Sequence, residues 1–152
     1  MRLLFVIILL SVTAISSQSL AQNSYKEANP DTLSEILLPT GQKKVLLVYA
    51  SWCPHCQIIF PELVEIEKNN PGSVQAISMD SDMNRFKRFL QKFPDSSIEP
   101  LVWNKEFHLG FSLQKRGVNF EGFIPFVALI DKDGKIVKEG HVTHDEVKMF
   151  LK

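Results

Sequence analysis

Short apolar runs alternate along the chain with segments whose apolar residues recur every three or four positions. Lys44–Tyr49 is an apolar run rich in strand-forming residues, and Gln57–Lys68 carries apolar residues at helical spacing. The pattern therefore predicts a buried strand that leads directly into an amphipathic helix. The turn between them holds both cysteines of the chain, Cys53 and Cys56, in the sequence Ala-Ser-Trp-Cys-Pro-His-Cys.

The rest of the pattern predicts a mixed α/β domain. After a polar lead-in over residues 22–30, a capping box of Thr32 and Glu35 opens a helix that ends at Leu38. The further predicted elements are a strand over 74–79, a helix capped within 80–82 and closed by Pro94, a strand over 101–103, helical turns within 105–111, a hairpin of strands 126–130 and 136–139, and a helix from a capping box at 143–146 to Leu151. This order predicts a small mixed β-sheet with helices on both faces.

Four phenylalanines crowd the least regular stretch, at positions 107, 111, 120 and 123. Because aromatic side chains dominate protein cores, we expect these residues to pack inside the domain. The alternative is an apolar patch on the surface that faces a substrate.

Composition limits the function classes. The chain has 152 residues, 45% of them hydrophobic, which suits one globular domain with a sizeable core. Lysine and arginine together number 17, as do aspartate and glutamate, so no basic surface argues for nucleic acid as a partner.

The first 21 residues have the layout of a secretory signal peptide. Arg2 precedes an apolar run over residues 3–10, and polar residues then lead to a small-residue site that ends at Ala21. A membrane anchor is the alternative, but the run falls short of the ~20 residues that a spanning helix needs. We therefore predict a signal peptide over 1–21, a single domain over 22–152, and export to the periplasm or another extracytoplasmic compartment.

The spacing of the two cysteines favours a redox-active dithiol. A structural disulfide would close so small a loop that it would restrain the unfolded chain very little. A zinc site would need more ligands than the two cysteines supply, and two inert buried thiols would not explain the turn position. A C-x-x-C sequence beside a strand–helix unit is instead typical of thiol–disulfide exchange.

The start of a helix is a favourable place for a thiolate. The first N–H groups of a helix carry partial positive charge, and Pro54 suits the first helical position because it needs no N–H there. We therefore predict an exposed, nucleophilic Cys53 with a pKa well below the free-thiol value of about 8.5, and Cys56 beneath it as the resolving thiol. Trp52, Pro54 and His55 are expected to tune the thiolate.

Several of these residues resemble the thioredoxin fold family. Trp52 stands before the first cysteine, Pro61 lies where thioredoxins have a kinking proline, and Ile124-Pro125 lies where they have a cis-proline. Residues 126–136 and the long insert between Asp80 and Pro125 are similar to the exported TlpA/ResA branch. The Cys-Pro-His-Cys tetrapeptide is similar to that of DsbA-type oxidases.

The resemblance implies a thioredoxin-like fold with an insert before the cis-proline strand. It also implies that Ile124 and Pro125 bind substrate, with the exposed backbone of Ile124 pairing with an incoming peptide. Three positions depart from the family pattern: Leu47 replaces the buried acid, Ala76 replaces its lysine partner, and Phe126 follows the proline. A base for Cys56 is therefore missing from its expected place.

The predicted function is an exported thiol–disulfide oxidoreductase that acts on cysteine-containing exported proteins and is recycled by a membrane redox partner. His55 would stabilise the reduced form, which favours an oxidant, whereas the TlpA/ResA-like body favours a reductase, for instance in cytochrome c maturation. No cofactor beyond the disulfide is predicted. A copper or zinc carrier using Cys53, Cys56 and His141 is the alternative from another class; His141 is otherwise an accessory acid/base candidate or a loop residue without a role.

Overall fold

A computed structural model of the protein describes residues 24–152. The predicted signal peptide and its cleavage site lie outside the described residues. The elements in chain order are β1 (Lys26–Ala28), α1 (Pro30–Leu37), β2 (Lys44–Tyr49), α2 (Pro54–Asn69), β3 (Val74–Ser78), α3 (Met83–Leu90), β4 (Pro100–Trp103), α4 (Leu109–Gln114), β5 (Phe126–Ile130), β6 (Ile136–Gly140) and α5 (His144–Leu151). Among the described helices, none is long and apolar enough to cross a membrane.

The strands form one mixed sheet in the order β1-β4-β3-β2-β5-β6. The first four strands in this order run parallel to one another, while β5 is antiparallel to both β2 and β6. The predicted mixed α/β architecture is confirmed. The central strand β2 is buried over its whole length, as the apolar run predicts for a strand covered on both faces.

Alternate residues of β2 divide the core into two halves. Val45, Leu47 and Tyr49 belong to an apolar cluster with α2, α3 and α5, whereas Leu46 and Val48 belong to a second cluster with α1 and α4. This division follows from the period of two along a strand. The dithiol helix α2 therefore packs on one face of the sheet and the end of the insert on the other.

Sequence interpretation was wrong at the start of the domain. The expected lead-in contains β1, an edge strand paired with β4, and α1 begins at Pro30 with Asn29 as its N-cap. The capping box joins Asn29 and Thr32, because the Asn29 side chain accepts the Thr32 N–H. Thr32 is therefore the third helical residue and not the cap.

The insert also differs from its prediction. The helical turns expected within 105–111 lie later, in α4, where the ring of His108 accepts the Phe111 N–H as the N-cap. Phe107, Phe111 and Phe123 are exposed, so their expected place in the core is wrong.

Arg116 joins the insert to the first helix. Its guanidinium donates to the Pro30 carbonyl at 2.6 Å and to the Ser34 hydroxyl at 2.9 Å, and it also donates to the Ser112 carbonyl at 2.8 Å. These charge-assisted bonds hold the end of α4 against α1.

Candidate active site

Cys53 is the N-cap of α2. Its sulfur accepts the backbone N–H of Cys56 at 3.3 Å, and Pro54 is the first helical residue. The predicted strand–turn–helix placement of the first cysteine is confirmed. A sulfur in this position replaces the side-chain oxygen that usually caps a helix, and it lies at the positive end of the helix dipole.

The expected exposure of Cys53 is wrong, because only 5% of the residue is accessible. The cis-proline loop covers it, and the Cys53 thiol donates to the Ile124 carbonyl at 3.7 Å. The neighbouring Trp52, Pro54 and His55 are all exposed. Solvent therefore reaches the sulfur only along the edge between these side chains and the loop.

Cys56 lies one turn along α2 and is fully buried. Both cysteines are free, and the Cys56 N–H donates to the Cys53 sulfur. Burial raises the pKa of Cys56 to about 12, with further contributions from its hydrogen bond to Cys53 and from the charge of Asp80, while a backbone hydrogen bond from Ala50 opposes the rise. Cys56 is thus a thiol at neutral pH, which suits a residue that acts second.

The Ile124–Pro125 peptide bond is cis, as expected from the thioredoxin resemblance. The loop places the Ile124 carbonyl beside the Cys53 sulfur. Its role in binding substrate remains a prediction.

A groove of about 700 Å³ begins beside the dithiol turn. His55 and Ile58 of α2 line one side, and Phe123, Pro125 and His141 line the other. Phe123 and Ile58 are 78% and 63% exposed, so the groove has apolar walls open to solvent. The alternative considered for the aromatic stretch, a surface patch near the site, fits the placement of Phe123.

The groove is acidic at its rim. Glu62, Glu121 and Glu139 line it, and none of its described lining residues is a lysine or arginine. The Nδ1 atom of His144 lies 3.2 Å from the Glu62 carboxylate, and its buried Nε2 has no partner among the described residues. His141 is exposed in the loop after β6 and lines the same groove.

The predicted metal ligands do not converge. Within residues 24–152, no group of three or more histidine, cysteine, aspartate or glutamate side chains is placed to hold a metal ion. His141 lies on the groove wall beyond the cis-proline loop and does not complete a ligand set with Cys53 and Cys56. The structure therefore does not support the metal-carrier alternative.

The positions of the missing acid and its lysine partner are both apolar and buried. Leu47 and Ala76 are direct neighbours across the β2–β3 pair. The buried carboxylate near the dithiol comes from Asp80, just after β3, which sequence reasoning took for a helix cap. Asp82 is the N-cap of α3. The signal that could have separated the two acids is that Asp80 directly continues an apolar strand.

Comparison with known proteins identifies the family. A profile of the Redoxin family matches residues 16–150. The chain belongs to the Redoxin family. This Redoxin chain is similar to the thiol:disulfide interchange protein TxlA homologue of Synechocystis sp., with 37% identity over 66 residues. The matched region covers 43% of this chain and 37% of that protein.

Two further comparisons connect this Redoxin domain with the TlpA/ResA-like resemblance. It is 26% identical over 119 residues to the thiol-disulfide oxidoreductase ResA of Bacillus thuringiensis subsp. konkukian, covering 74% of this chain and 63% of that protein. The solved structure of the exposed lipoprotein thioredoxin Etrx1 from Streptococcus pneumoniae superposes with a TM-score of 0.55 at 27% identity, covering 78% of this chain and 87% of that chain. The chain spans less than two thirds of the length of the TxlA homologue and of ResA. The predicted thioredoxin-like fold is confirmed.

Proposed function

We propose that the protein is an exported thiol–disulfide oxidoreductase that exchanges a Cys53–Cys56 disulfide or dithiol with cysteines of exported proteins. The observation that carries this proposal is the Cys53 sulfur at the N-cap of α2, with Cys56 one turn away and the cis-proline loop beside it. The similarity to proteins named for thiol–disulfide interchange supports it. No cofactor other than the redox-active cysteine pair takes part in the proposed reaction.

As an oxidant, the protein acts in two exchanges. A substrate thiolate attacks the Cys53 sulfur of the internal disulfide, which forms a mixed disulfide and releases Cys56 as a thiolate that takes up a proton. A second substrate thiolate then attacks the substrate sulfur of the mixed disulfide, which breaks the bond of that sulfur to Cys53 and releases Cys53 as a thiolate. The substrate gains a disulfide and the protein gains both electrons as a dithiol. A membrane redox partner would accept these electrons and restore the disulfide.

The direction of exchange depends on the reduction potential. His55 lies exposed at the first turn of α2, from where a donor or positive charge would stabilise the Cys53 thiolate and the reduced form. This favours an oxidant. The similarity to ResA keeps a reductase of extracytoplasmic thiols as the second candidate.

We expect the Cys53–Cys56 couple to have a potential above about −220 mV. Equilibration of the purified protein with glutathione buffers, followed by thiol alkylation and mass measurement, gives this value directly. His55→Ala should make the couple more reducing, while the exposed His108→Ala, outside the site, should not change it. A potential well below about −220 mV in the unmodified protein would instead identify a reductase.

The acidic rim of the groove predicts a preference among substrates. A peptide whose cysteine is flanked by lysines should exchange several-fold faster than one flanked by glutamates, because attraction to the rim speeds association. Stopped-flow kinetics with the two peptides at low and high salt measure the difference, which added salt should diminish.

Glu121→Gln, which removes one rim charge, should reduce this preference. Glu35→Gln removes an exposed charge on α1, which packs on the other face of the sheet from α2, and should leave it unchanged. Equal rates for both peptides at low salt would contradict the role given to the rim.

A further inference from the structure

Asp80 is a fully buried carboxylate next to the dithiol turn. It accepts hydrogen bonds from the Ser51 N–H at 2.8 Å, the Ser51 hydroxyl at 2.6 Å and the Ser78 hydroxyl at 2.6 Å. All of these donors are neutral, and no ion pair of Asp80 is present among residues 24–152. Neutral hydrogen bonds are therefore the compensation that the described residues give this buried carboxylate.

Ser51 connects this carboxylate to the reactive turn. It lies between β2 and Cys53, and its carbonyl accepts the Gln57 side-chain amide of α2 at 2.8 Å. The adjacent Ala50 carbonyl accepts the Cys53 N–H at 3.1 Å. Asp80 therefore holds Ser51 in place, and residues 50–51 in turn bind the N-cap and the first turn of α2.

The charge of Asp80 also acts on the groups around the inner sulfur. Burial is the main cause of the raised pKa of Tyr49, and the charge of Asp80 comes next. For Cys56, burial and the interactions with Cys53 raise the pKa more than the charge of Asp80 does, which acts in the same direction. Among the described residues, Cys53 from the start of α2 and Asp80 from just after β3 are the titratable groups that raise the pKa of Cys56, and Cys56 in turn raises the pKa of Tyr49.

We propose that Asp80 is a positioning residue of the dithiol, which holds the turn before Cys53 through its hydrogen bonds with Ser51 and whose carboxylate controls how fast Cys56 resolves a mixed disulfide. Leu47 and Ala76 are apolar where the thioredoxin resemblance implies an acid and a lysine. In this chain the buried carboxylate near the dithiol is Asp80, which follows β3. This inference rests on the proposed function and concerns the step in which Cys56 resolves a mixed disulfide. That step completes the reduction of a substrate disulfide, and in the oxidant direction it reverses the first exchange.

That step is the release of a reduced substrate from the mixed disulfide. Cys56 loses its proton to water, and its thiolate attacks the Cys53 sulfur. The Cys53–Cys56 bond forms, the bond from Cys53 to the substrate sulfur breaks, and the substrate leaves as a thiolate. The two electrons pass from the protein to the substrate. Because Asp80 lowers the thiolate fraction of Cys56, it slows this step at neutral pH and lengthens the life of the mixed disulfide.

Asp80→Asn tests the proposal because asparagine has the same shape, keeps one of the two acceptor oxygens that bind Ser51 and removes the charge. Reaction of the reduced protein with excess of the chromogenic aryl disulfide DTNB releases one coloured thiolate when Cys53 attacks and a second when Cys56 resolves. The second, concentration-independent phase should become faster in the variant, and its pH profile should move to lower pH. Each tenfold gain in thiolate should raise the rate only about threefold, because nucleophilicity falls with pKa.

Glu67→Gln is the matched control. Glu67 is also a buried carboxylate, 4% exposed, but it accepts the N–H groups of Gly72 and Val74 at the far end of α2. Its replacement should leave the second phase and its pH profile unchanged. An unchanged second phase in folded Asp80→Asn, or an equal change in Glu67→Gln, overturns the proposal.

Ser51→Ala gives an independent test that holds if Asp80→Asn does not fold. Loss of the hydroxyl leaves the Asp80 charge less neutralised, so the second phase should slow, opposite in sign to Asp80→Asn. A faster or unchanged second phase in Ser51→Ala overturns the role of the charge. The absence of both phases in the unmodified protein would instead overturn the proposed function itself.

Discussion

Replacement of Cys53 by serine is expected to abolish thiol–disulfide exchange, with a loss in rate on the order of 10³-fold or more. The Cys53 sulfur alone lies beside the cis-proline loop, within 3.7 Å of the Ile124 carbonyl. Cys56 is fully buried beneath it and has a raised pKa, so it cannot substitute as the attacking group. Reduction or oxidation of a fluorogenic peptide disulfide, followed at pH 7, measures the loss.

Cys56→Ser is the matched variant, because it makes the same replacement of sulfur by oxygen one turn along α2. It should retain the first attack and then accumulate a mixed disulfide through Cys53, visible as an added mass that a reductant removes. A mixed disulfide through Cys56 in the Cys53→Ser variant would reverse the assigned roles.

The second large effect is expected on stability. Phe60 is 1% exposed, and its ring centre lies 5.0 Å from those of Tyr49 and Phe89 and 5.1 Å from that of Phe93. Phe60→Ala should therefore lower the free energy of unfolding by about 3–5 kcal/mol, through lost burial and the cavity that remains. Urea unfolding followed by fluorescence, with the slope of the transition compared, measures this change.

Phe111→Ala provides the comparison, because Phe111 is 55% exposed and contributes little to the core. Its effect on unfolding should stay within about 0.5 kcal/mol, as for most surface substitutions. A loss below about 1 kcal/mol for Phe60→Ala would contradict the tight packing of the aromatic cluster behind α2.

The parts of the molecule that can be predicted from sequence are those with a strong local signal. The uninterrupted run from Val45 to Tyr49 and the helical spacing after Cys56 are sufficient to locate the central strand, the turn and α2. The hairpin and α5 carry similar signals in Gly134 and in the capping box of Thr143 and Glu146. The capping interaction is made within a few residues, so a local pattern is enough to indicate it.

The parts that sequence reasoning missed depend on distant partners. Lys26–Ala28 is a strand only because β4, more than 70 positions along the chain, offers an edge to pair with. Asp80 and Asp82 both suit a helix cap, and the position of Asp80 after an apolar strand does not reveal its partner, Ser51, which lies 29 positions earlier in the chain. The cover over Cys53 likewise comes from Ile124, so no local pattern could show that the sulfur is shielded.

The bonds from Arg116 to α1 have a consequence for protein engineering. An attempt to convert this domain into a minimal scaffold by excising residues 81–122 would remove α4 together with its anchor on Pro30 and Ser34. It would also uncover Leu46 and Val48 on one face of the sheet and leave β1 without a pairing strand. The shortened domain is expected to self-associate because apolar surface and a strand edge are exposed. The unit that can be transplanted is therefore the whole domain and not the dithiol motif with its nearest strands.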